Sequence, residues 1–414
     1  MYRHPVPKKV VLAVSAAVLV VVVSSYAFFR FFSDRNGAAD EADMTVGGSD
    51  SDGSSGNTVP LPTDADGEPI KVTGLLGEEL GPPPADPSMD LMKTRGCVAD
   101  GLLNGDFPGD GKTMKLINDS KCYYLHRAIE TWLAPPDFKD IDENLKDLRS
   151  GFTVGMFLAE AIDTKANYFY PFENRDFDFD RMCRPGSKNF WGEHTCKPYL
   201  PSKEYQTYLR YITRRAIDRG VQVFMFGQVY LQDTPDHSKS PISGVIAEMR
   251  EYAAYHGMKI YVGAQTNEIT DEAYLSNFDF IEGGVGLKAD GTVEDGACFS
   301  RWWKKPGDWC WALLWNDRYR TKAKNVFVHY DWSGKIGDDM SVFTRMDEKA
   351  RHETTARLHA YFNSKGVGFL IPYLARLNVA NGGCVGPSAR FYTPDDRFSC
   401  DDEAAWDAIF SPKK

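Results

Sequence analysis

The sequence lacks the short motifs that mark several common chemistries. It has neither a G-x-S-x-G elbow nor a Walker loop, so acyl transfer and nucleotide hydrolysis have no support. Its cysteines are too far apart for a zinc knuckle, and no H-x-x-x-H or H-E-x-x-H spacing occurs, so we predict no metal and no cofactor. Basic residues are outnumbered by acidic ones, with 48 Lys and Arg against 58 Asp and Glu. A net charge of −10 argues against nucleic acid as the main partner.

Long apolar runs are rare, and residues 10–29 form the clearest one, with 20 uncharged residues. As a helix, this run is long enough to cross a hydrocarbon core of about 30 Å. Basic residues precede it and the chain turns acidic after it, so the positive-inside rule predicts a cytoplasmic N-terminus. We therefore predict a single-pass membrane protein with an extracytoplasmic C-terminal part. A signal peptide cleaved after Ala27 is the alternative.

All eight cysteines follow this run, which predicts disulfide bonds in an oxidising compartment. They are Cys97, Cys122, Cys183, Cys196, Cys298, Cys310, Cys384 and Cys400. The sequence does not fix their connectivity, but pairing each with its neighbour in the chain would close four short loops. Free buried cysteines in a cytoplasmic domain are the alternative.

Composition divides the chain into three parts. We predict a cytoplasmic stub and transmembrane signal anchor at 1–33, a flexible linker rich in Gly, Ser, Asp and Pro at 34–93, and a barrel domain at 94–414. Beyond Cys97, short apolar runs alternate with amphipathic segments, which is typical of an α/β fold with a largely parallel sheet. The predicted strands are 122–132, 152–160, 221–228, 259–265, 278–284, 325–332 and 368–375.

Helices that end in glycine precede several of these strands, which favours a (β/α)8 TIM-like barrel. Seven strands are recognised, and we expect an eighth near the start of the domain or around the sequence CWALLW. A doubly wound open sheet is the alternative, although no Gly-rich phosphate turn follows any strand.

Polar side chains follow most of the predicted strands, at the barrel face where active sites form. Carboxylates at so many strand ends would repel one another in an apolar core, so we expect them to line a wet cleft. Candidate catalytic residues are Glu268, Glu282 and Glu160. Candidate substrate-binding residues are Asp331, Gln228, Asn267, Tyr330, Tyr373, Arg127 and Glu130.

Two carboxylates in a broad cleft are what glycoside hydrolysis needs, since one protonates the leaving oxygen and the other is nucleophile or base. The pair Asn267-Glu268, at the end of the fourth predicted strand, resembles the Asn-Glu pair of retaining (β/α)8 glycoside hydrolases. The resemblance implies that Glu268 is the acid/base and that Asn267 holds a sugar hydroxyl. It also implies a glutamate nucleophile on the seventh strand, which FLIPYLA lacks, so Glu282 or Glu160 would take that role.

We therefore expect a membrane-anchored extracytoplasmic protein that acts on a polysaccharide or glycan, with Glu268 as acid/base and Glu282 as second carboxylate. The main alternative is a barrel that binds a surface glycan or protein without catalysis, with its strand-end carboxylates held in salt bridges such as Glu130 with Arg127. A glycan-building transferase is a third possibility, but the only basic cluster is Arg301, Lys304 and Lys305.

Overall fold

Short buried strands alternate with amphipathic helices in the structure of this protein, a computed structural model. It describes residues 72–105, 111–265, 271–294, 323–332, 338–377 and 382–411. Every described residue belongs to one structural unit, Thr58–Lys414.

The strands follow the apolar runs of the sequence. They are β1 (Gly96–Ala99), β2 (Tyr124–Ile129), β3 (Thr153–Leu158), β4 (Ile162–Asp163), β5 (Phe169–Tyr170), β6 (Arg175–Asp176), β7 (Thr195–Cys196), β8 (Val223–Gly227), β9 (Tyr261–Gln265), β10 (Phe280–Gly284), β11 (Val326–His329), β12 (Gly368–Phe369), β13 (Ile371–Arg376) and β14 (Phe391–Tyr392).

The helices lie mainly between these strands. They are α1 (Met89–Thr94), α2 (Lys112–Asp119), α3 (Phe138–Asp147), α4 (Lys203–Ile217), α5 (Val229–Gln232), α6 (Ile242–Tyr255), α7 (Glu272–Leu275), α8 (Asp339–Arg345), α9 (Glu348–Ser364) and α10 (Glu403–Phe410). Ser202 caps the N-terminus of α4, because its side chain accepts a hydrogen bond from the Tyr205 N–H.

The main sheet is curled and largely parallel. From β1, parallel pairing runs in order through β2, β3, β8, β9, β10, β11 and β12. Only Leu370 separates β12 from β13, and β13 pairs in parallel with β1. One segment, 368–376, therefore joins the two ends of the parallel sheet, and β14 adds an antiparallel edge to it. This is the order expected of a barrel rather than of an open doubly wound sheet.

The seven recognised strands are confirmed, and the expected eighth is β1, which has only four residues and lies near the start of the domain, ahead of the other seven. As a result, residues 267 and 268 follow the fifth parallel strand rather than the fourth, and FLIPYLA is the eighth rather than the seventh. This correction removes the strand-position match between Asn267-Glu268 and the retaining hydrolases.

The last part of the predicted flexible linker packs on the barrel. The Leu75 N–H donates to Asp218 Oδ2 at 2.9 Å, and Gln222 Nε2 donates to the Ala85 carbonyl at 2.9 Å. The Ser88 N–H donates to the hydroxyl of Tyr123 at 2.9 Å. Residues 72–93 are thus part of the folded unit, and a linker boundary at residue 93 is too late in the chain.

The predicted membrane anchor, 10–29, lies outside the described residues. In the part of the chain that the structure describes, no helix is both long and apolar enough to cross a membrane.

Three of the neighbouring cysteine pairs form disulfides: Cys97–Cys122, Cys183–Cys196 and Cys384–Cys400. The first ties β1 to the residue preceding β2 by two positions, and the second closes a hairpin excursion after β3. Cys298 and Cys310 lie outside the described residues.

Candidate functional site

A buried carboxylate, Glu282 of β10, lies between two imidazoles inside the barrel. His329 Nε2 of β11 is 2.7 Å from Glu282 Oε1, and His126 Nε2 of β2 is 2.8 Å from Oε2. None of the three side chains is more than 1% exposed. Three strands therefore contribute to one charged cluster, which we call the Glu282 cluster (His126, Glu282 and His329).

The hydrogen bonds fix a different protonation state for each imidazole. His329 Nδ1 is 3.0 Å from the Tyr330 carbonyl, which only accepts, so both ring nitrogens of His329 donate and the ring is cationic. His126 Nδ1 is 2.9 Å from the hydroxyl of Tyr124, which can donate, so this ring needs only one proton. The cluster is thus a carboxylate with one imidazolium and one neutral imidazole.

Electrostatics agree with this assignment. Burial opposes the charged form of Glu282, but the two imidazoles outweigh it and hold the pKa of this carboxyl well below its usual range. Burial lowers the pKa of His126, whereas for His329 the Glu282 charge overcomes burial and raises the pKa. Glu282 therefore remains ionised, and its charge is balanced mainly by His329.

Trp332 and Arg127 lie over the Glu282 cluster. The Trp332 ring is 4.6 Å from the ring of His329 and 6.3 Å from that of His126. The Arg127 guanidinium carbon is 4.9 Å from the Trp332 ring centre and 3.8 Å from that of Phe157. These cation–π contacts hold the guanidinium between two aromatic rings, above the buried carboxylate.

Arg127 reaches this place because β2 is irregular at its carboxyl end. Its φ of 56° is left-handed, and the pairing of β2 with β3 shifts between Leu125 and Ile129. A β-branched residue would tolerate this backbone poorly. The bulge turns the arginine side chain towards the other strand ends, as bulges near sites often do.

Arg127 forms a salt bridge with Glu130, one of the candidates from the sequence. Arg127 Nε donates to Glu130 Oε2 at 2.9 Å, while Glu130 Oε1 accepts the N–H groups of Thr131 and Trp132. Asp100, one residue past β1, lies 3.8 Å from Arg127 Nε. Both carboxylate oxygens of Asp100 are buried and have no hydrogen-bond partner among the described residues. This side of the site is therefore rich in charge, and all of Glu130's oxygens are engaged.

Glu160, just beyond β3, is the carboxyl group best suited to proton transfer. Gln228 Nε2 donates to its Oε1 at 3.2 Å, but its Oε2 is buried and has no partner within the described part of the chain. Burial raises its pKa to about 7, against the opposing charges of Arg127 and Lys197. Near neutral pH the group therefore exists in both protonation states.

The space for Glu160 depends on a glycine. A Cβ on Gly227, the last residue of β8, would overlap Glu160 Oε2 and the ring of Phe157. Gln228, the next residue, has a left-handed φ of 39°. This turn directs the Gln228 amide towards Glu160. Of the Gly-Gln pair at the end of β8, the glycine leaves room for the Glu160 carboxyl and the glutamine donates a hydrogen bond to it.

Asp331 follows β11 and is a third carboxyl with a strongly raised pKa, besides Glu160 and Glu130, whose pKa burial raises to about 8. Burial and the nearby charge of Asp339 raise the pKa of Asp331 to about 7. The residue as a whole is partly exposed. Asp331 and Glu160 each interact electrostatically with Arg127.

Asp339, at the start of α8, fixes the backbone on both sides of Asp331. Its carboxylate accepts the N–H groups of Val285, Gly286 and Leu287 at 2.7 to 3.2 Å, and that of Asp331 at 3.0 Å. Four donors on one buried carboxylate join the ends of β10 and β11. No local sequence pattern distinguishes Asp339 from an ordinary helix cap, so its role is visible only in the folded structure.

Two candidates from the sequence lie away from this site. Tyr330 is fully buried, with its hydroxyl 3.0 Å from Thr355 Oγ1 of α9. Tyr373 is also fully buried, and its hydroxyl is 3.5 Å from Asp407 Oδ1 of α10. Both tyrosines pack between strands and helices, which does not fit the predicted role in substrate binding. Asn267 and Glu268 lie outside the described residues.

The other candidates do come together. Glu160, Glu282, Gln228, Asp331, Arg127 and Glu130 all lie at or below the carboxyl ends of the strands. The two histidines and Asp100 were not singled out as site residues. The sequence feature that could have indicated them is their position on or just after a strand. His126, for example, lies on the same face of β2 as Tyr124, because side chains alternate along a strand. Within the described ranges, no group of three or more His, Cys, Asp or Glu residues is arranged to hold a metal ion.

Solved structures that are similar to this chain are glycoside hydrolases of several families. Eubacterium rectale Amy13B is 12% identical, with a TM-score of 0.44 over 80% of this chain and 82% of that one. PbGH5A, a glycoside hydrolase family 5 enzyme from Prevotella bryantii B14, is 8% identical, with a TM-score of 0.43 over 80% of this chain and 100% of that one.

A GH27 β-L-arabinopyranosidase from Geobacillus stearothermophilus is 12% identical, with a TM-score of 0.28 over 47% of this chain. The match spans about half of that enzyme's length, 54%. No family model and no curated protein matches the chain. The predicted general resemblance to barrel glycoside hydrolases agrees with these neighbours. Their identities and TM-scores are too low to transfer any residue or substrate.

Proposed function

We propose that this protein is a glycoside hydrolase that acts on a polysaccharide or glycan, with Glu160 as the general acid. The observation that carries the proposal is the Glu160 carboxyl: buried, with one oxygen unpaired and a pKa of about 7, beside a cationic side chain. A general acid must be protonated at the working pH and must have an oxygen available to the leaving group. Glu160 meets both conditions.

Asp331 is the second carboxyl of the proposed pair. It follows β11, and unlike the fully buried Glu282 the residue is partly exposed. A group that activates water or attacks the sugar must be reached by them, so Asp331 fits the role of base or nucleophile better than a sealed carboxylate does. The charge of Arg127 favours the ionised form of Asp331.

Glu282 receives a supporting role in this proposal instead of the predicted role of nucleophile. Both of its oxygens contact imidazoles, and the side chain is fully buried beneath Trp332. Its charge holds His329 cationic, and the charge of His329, two residues before Asp331, also favours ionisation of Asp331. The predicted acid/base role of Glu268 stays a prediction.

A barrel that binds glycan or protein without catalysis remains the second candidate. The Arg127–Glu130 salt bridge and the sealed Glu282 are the features that this alternative predicts. It differs from the first proposal in one respect: it gives no reason for the Glu160 carboxyl, with a pKa raised to about 7, to keep one oxygen without a partner among the described residues.

The test is hydrolysis of a panel of cell-envelope polysaccharides by the full-length protein, followed as new reducing ends. We expect Glu160→Gln and Asp331→Asn each to lower kcat by about a hundredfold or more. Asp163→Asn, which changes a carboxylate of β4 whose Oδ1 accepts the Lys165 N–H, is the matched control and should retain activity. Glu268→Gln belongs in the same panel, and full activity in this variant would refute its predicted role.

Unchanged turnover in both the Glu160 and Asp331 variants would refute the proposed pair. If the wild-type protein binds a glycan of the panel tightly but releases no reducing ends, the non-catalytic alternative replaces the hydrolase.

We further propose that residues 10–29 anchor the protein in a membrane with the barrel on the extracytoplasmic side. The three disulfides support an oxidising compartment. In intact cells, external protease should digest the barrel, and alkaline carbonate should leave the full-length chain in the membrane pellet. A barrel protected from protease in intact cells, or a chain released by carbonate, would contradict this placement.

A further inference from the structure

A long excursion separates β3 from α4 and starts at the candidate general acid. β4 begins two residues after Glu160 and pairs antiparallel with β7, through Ile162 with Cys196 and Asp163 with Thr195. The disulfide Cys183–Cys196 ties the same hairpin to an earlier turn. Residues 190–197 are therefore held at a fixed place close to Glu160.

This part of the excursion presents aromatic rings. The Trp191 ring is 5.1 Å from the Trp132 ring and 4.8 Å from the Phe190 ring, in both cases edge to face. Phe190 is 54% exposed, and Lys197 Nζ lies 3.9 Å from its ring centre. We call Trp132, Phe190 and Trp191 the aromatic wall. Phe190 packs on Trp191, which packs on Trp132, and all three residues are at least partly exposed. Contiguous exposed apolar surface of this kind is typical of binding sites.

The wall is joined to the candidate site by two hydrogen bonds. The Trp132 N–H donates to Glu130 Oε1 at 2.9 Å, and the Leu133 N–H donates to the Ala161 carbonyl at 3.3 Å. Leu133, which follows Trp132 in the chain, therefore lies beside Ala161, which follows Glu160. Lys197, over the Phe190 ring, acts electrostatically on Glu160 itself. A molecule bound at Glu160 can thus extend directly onto these rings.

One polar atom of the wall lacks a partner. Trp191 Nε1 is buried and donates to no acceptor among the described residues. Buried indole N–H groups usually find an acceptor, and a small shift of this half-buried ring on binding would offer the donor to a ligand oxygen. The wall thus combines apolar faces, a cation and a spare donor, which suits a ring with one apolar face and hydroxyl groups at its edge.

We propose that the aromatic wall is a subsite that binds further pyranose units of a polysaccharide whose scissile bond lies at Glu160. The inference rests on the proposed function and deepens it, because it defines the substrate as a chain rather than a single sugar. Stacking on the aromatic wall increases the affinity for long substrates. It does not change the affinity for a substrate that ends at the scissile bond, because that substrate does not reach the wall.

The test compares Phe190→Ala and Trp191→Ala with the wild type, in full-length protein, on the best polysaccharide of the panel and on its shortest cleaved oligosaccharide. We expect KM for the polymer to rise about tenfold, which is the scale of losing one buried aromatic anchor. Activity on the short oligosaccharide should change by less than about twofold on the same scale. Trp191→Phe, which keeps a ring, should recover part of the loss.

Phe172→Ala is the matched control. Phe172 is 56% exposed on the same excursion, but its ring lies against Tyr170 and Tyr211, away from the wall. This variant should behave as the wild type on both substrates. Equal loss on polymer and short substrate in the wall variants, or equal loss in the control, would overturn the subsite.

A binding assay separates this inference from the proposed function. Affinity electrophoresis of Glu160→Gln in gels containing the same polysaccharide should show retardation that Trp191→Ala abolishes, whether or not the protein is a hydrolase. If the wild type hydrolyses the polymer but the wall variants are retarded like their parent, the subsite is wrong and the hydrolase stands. If the wall variants instead lose binding to phosphatidylcholine–phosphatidylglycerol vesicles and keep polymer binding, the wall is a membrane contact and the inference falls.

Discussion

Replacing Glu160 by glutamine should stabilise the protein at high pH and leave its stability at low pH nearly unchanged. The folded state raises the pKa of Glu160 from 4.5 to about 7 because burial disfavours the carboxylate. A shift of this size corresponds to about 3 kcal/mol of unfolding free energy. Glutamine has nearly the same shape and cannot ionise, so the variant does not carry this cost.

The pH dependence of this stability difference follows from the linkage between proton binding and folding. The folded state binds the Glu160 proton more tightly than the unfolded state, so the residue's contribution is fully favourable below pH 4.5 and is lost as the pH rises through about 7. The free energy of unfolding of Glu160→Gln minus that of the wild type should therefore increase between these limits. The gain should approach about 3 kcal/mol above pH 7.

The assay is guanidinium unfolding of both proteins at several pH values between 4 and 8, followed by tryptophan fluorescence with the disulfides intact. Oε2 of Glu160 has no partner among the described residues, and an amide NH2 in its place would have none there. This unpaired group adds a constant to the difference in unfolding free energy, and the constant does not vary with pH. The diagnostic quantity is therefore the slope of the difference against pH. A flat difference over this range would show that Glu160 does not hold its proton in the folded state, and the general-acid assignment would lose its basis.

Three further changes test the surroundings of the site. Glu282→Gln should lower the free energy of unfolding at pH 7 by about 3 to 5 kcal/mol, because the buried imidazolium of His329 loses its counter-ion; a loss under about 1 kcal/mol in urea unfolding would contradict the charge assignment. Gly227→Ala should lower kcat, and should lower the free energy of unfolding by about 1 to 3 kcal/mol, because the added Cβ pushes the Glu160 carboxyl aside. Gly244→Ala adds a Cβ with nothing within 4 Å, so it should change neither kcat nor the free energy of unfolding. Asp339→Asn should cost about 2 kcal/mol and lower kcat, because an amide cannot satisfy four backbone N–H donors; normal kcat in a folded variant would show that this carboxylate does not position the site.

The strands were predictable because their local signals are strong. Each predicted run is apolar, rich in β-branched or aromatic residues, and bounded by glycine or by polar residues. β1 carried too little of this signal: only Gly96–Ala99 pairs, and four residues have no periodicity to measure. Its partners, β2 and β13, come from distant parts of the chain, so only the folded sheet shows that it is a strand.

The site was predictable as a region but not as a set of roles. The rule that strand ends carry the polar residues located Glu160, Glu282 and Asp331 correctly on the barrel. It could not distinguish them, because a carboxyl group's pKa depends on what lies around it in space. It also admitted Tyr330 and Tyr373, whose places in strands look similar in sequence but face the helices.

The sequence by itself determined the alternation of strands and helices and the face of the barrel that bears the charged groups, because both depend on short-range pattern and spacing, whereas the pairing of the cysteines came from the structure. Only the tertiary structure decided that segment 368–376 joins both ends of the sheet, that Glu282 is sealed between two histidines and that Glu160 keeps an unpaired oxygen. Those features arise from contacts between residues far apart in the chain, where burial and neighbouring charge set the chemistry of each group.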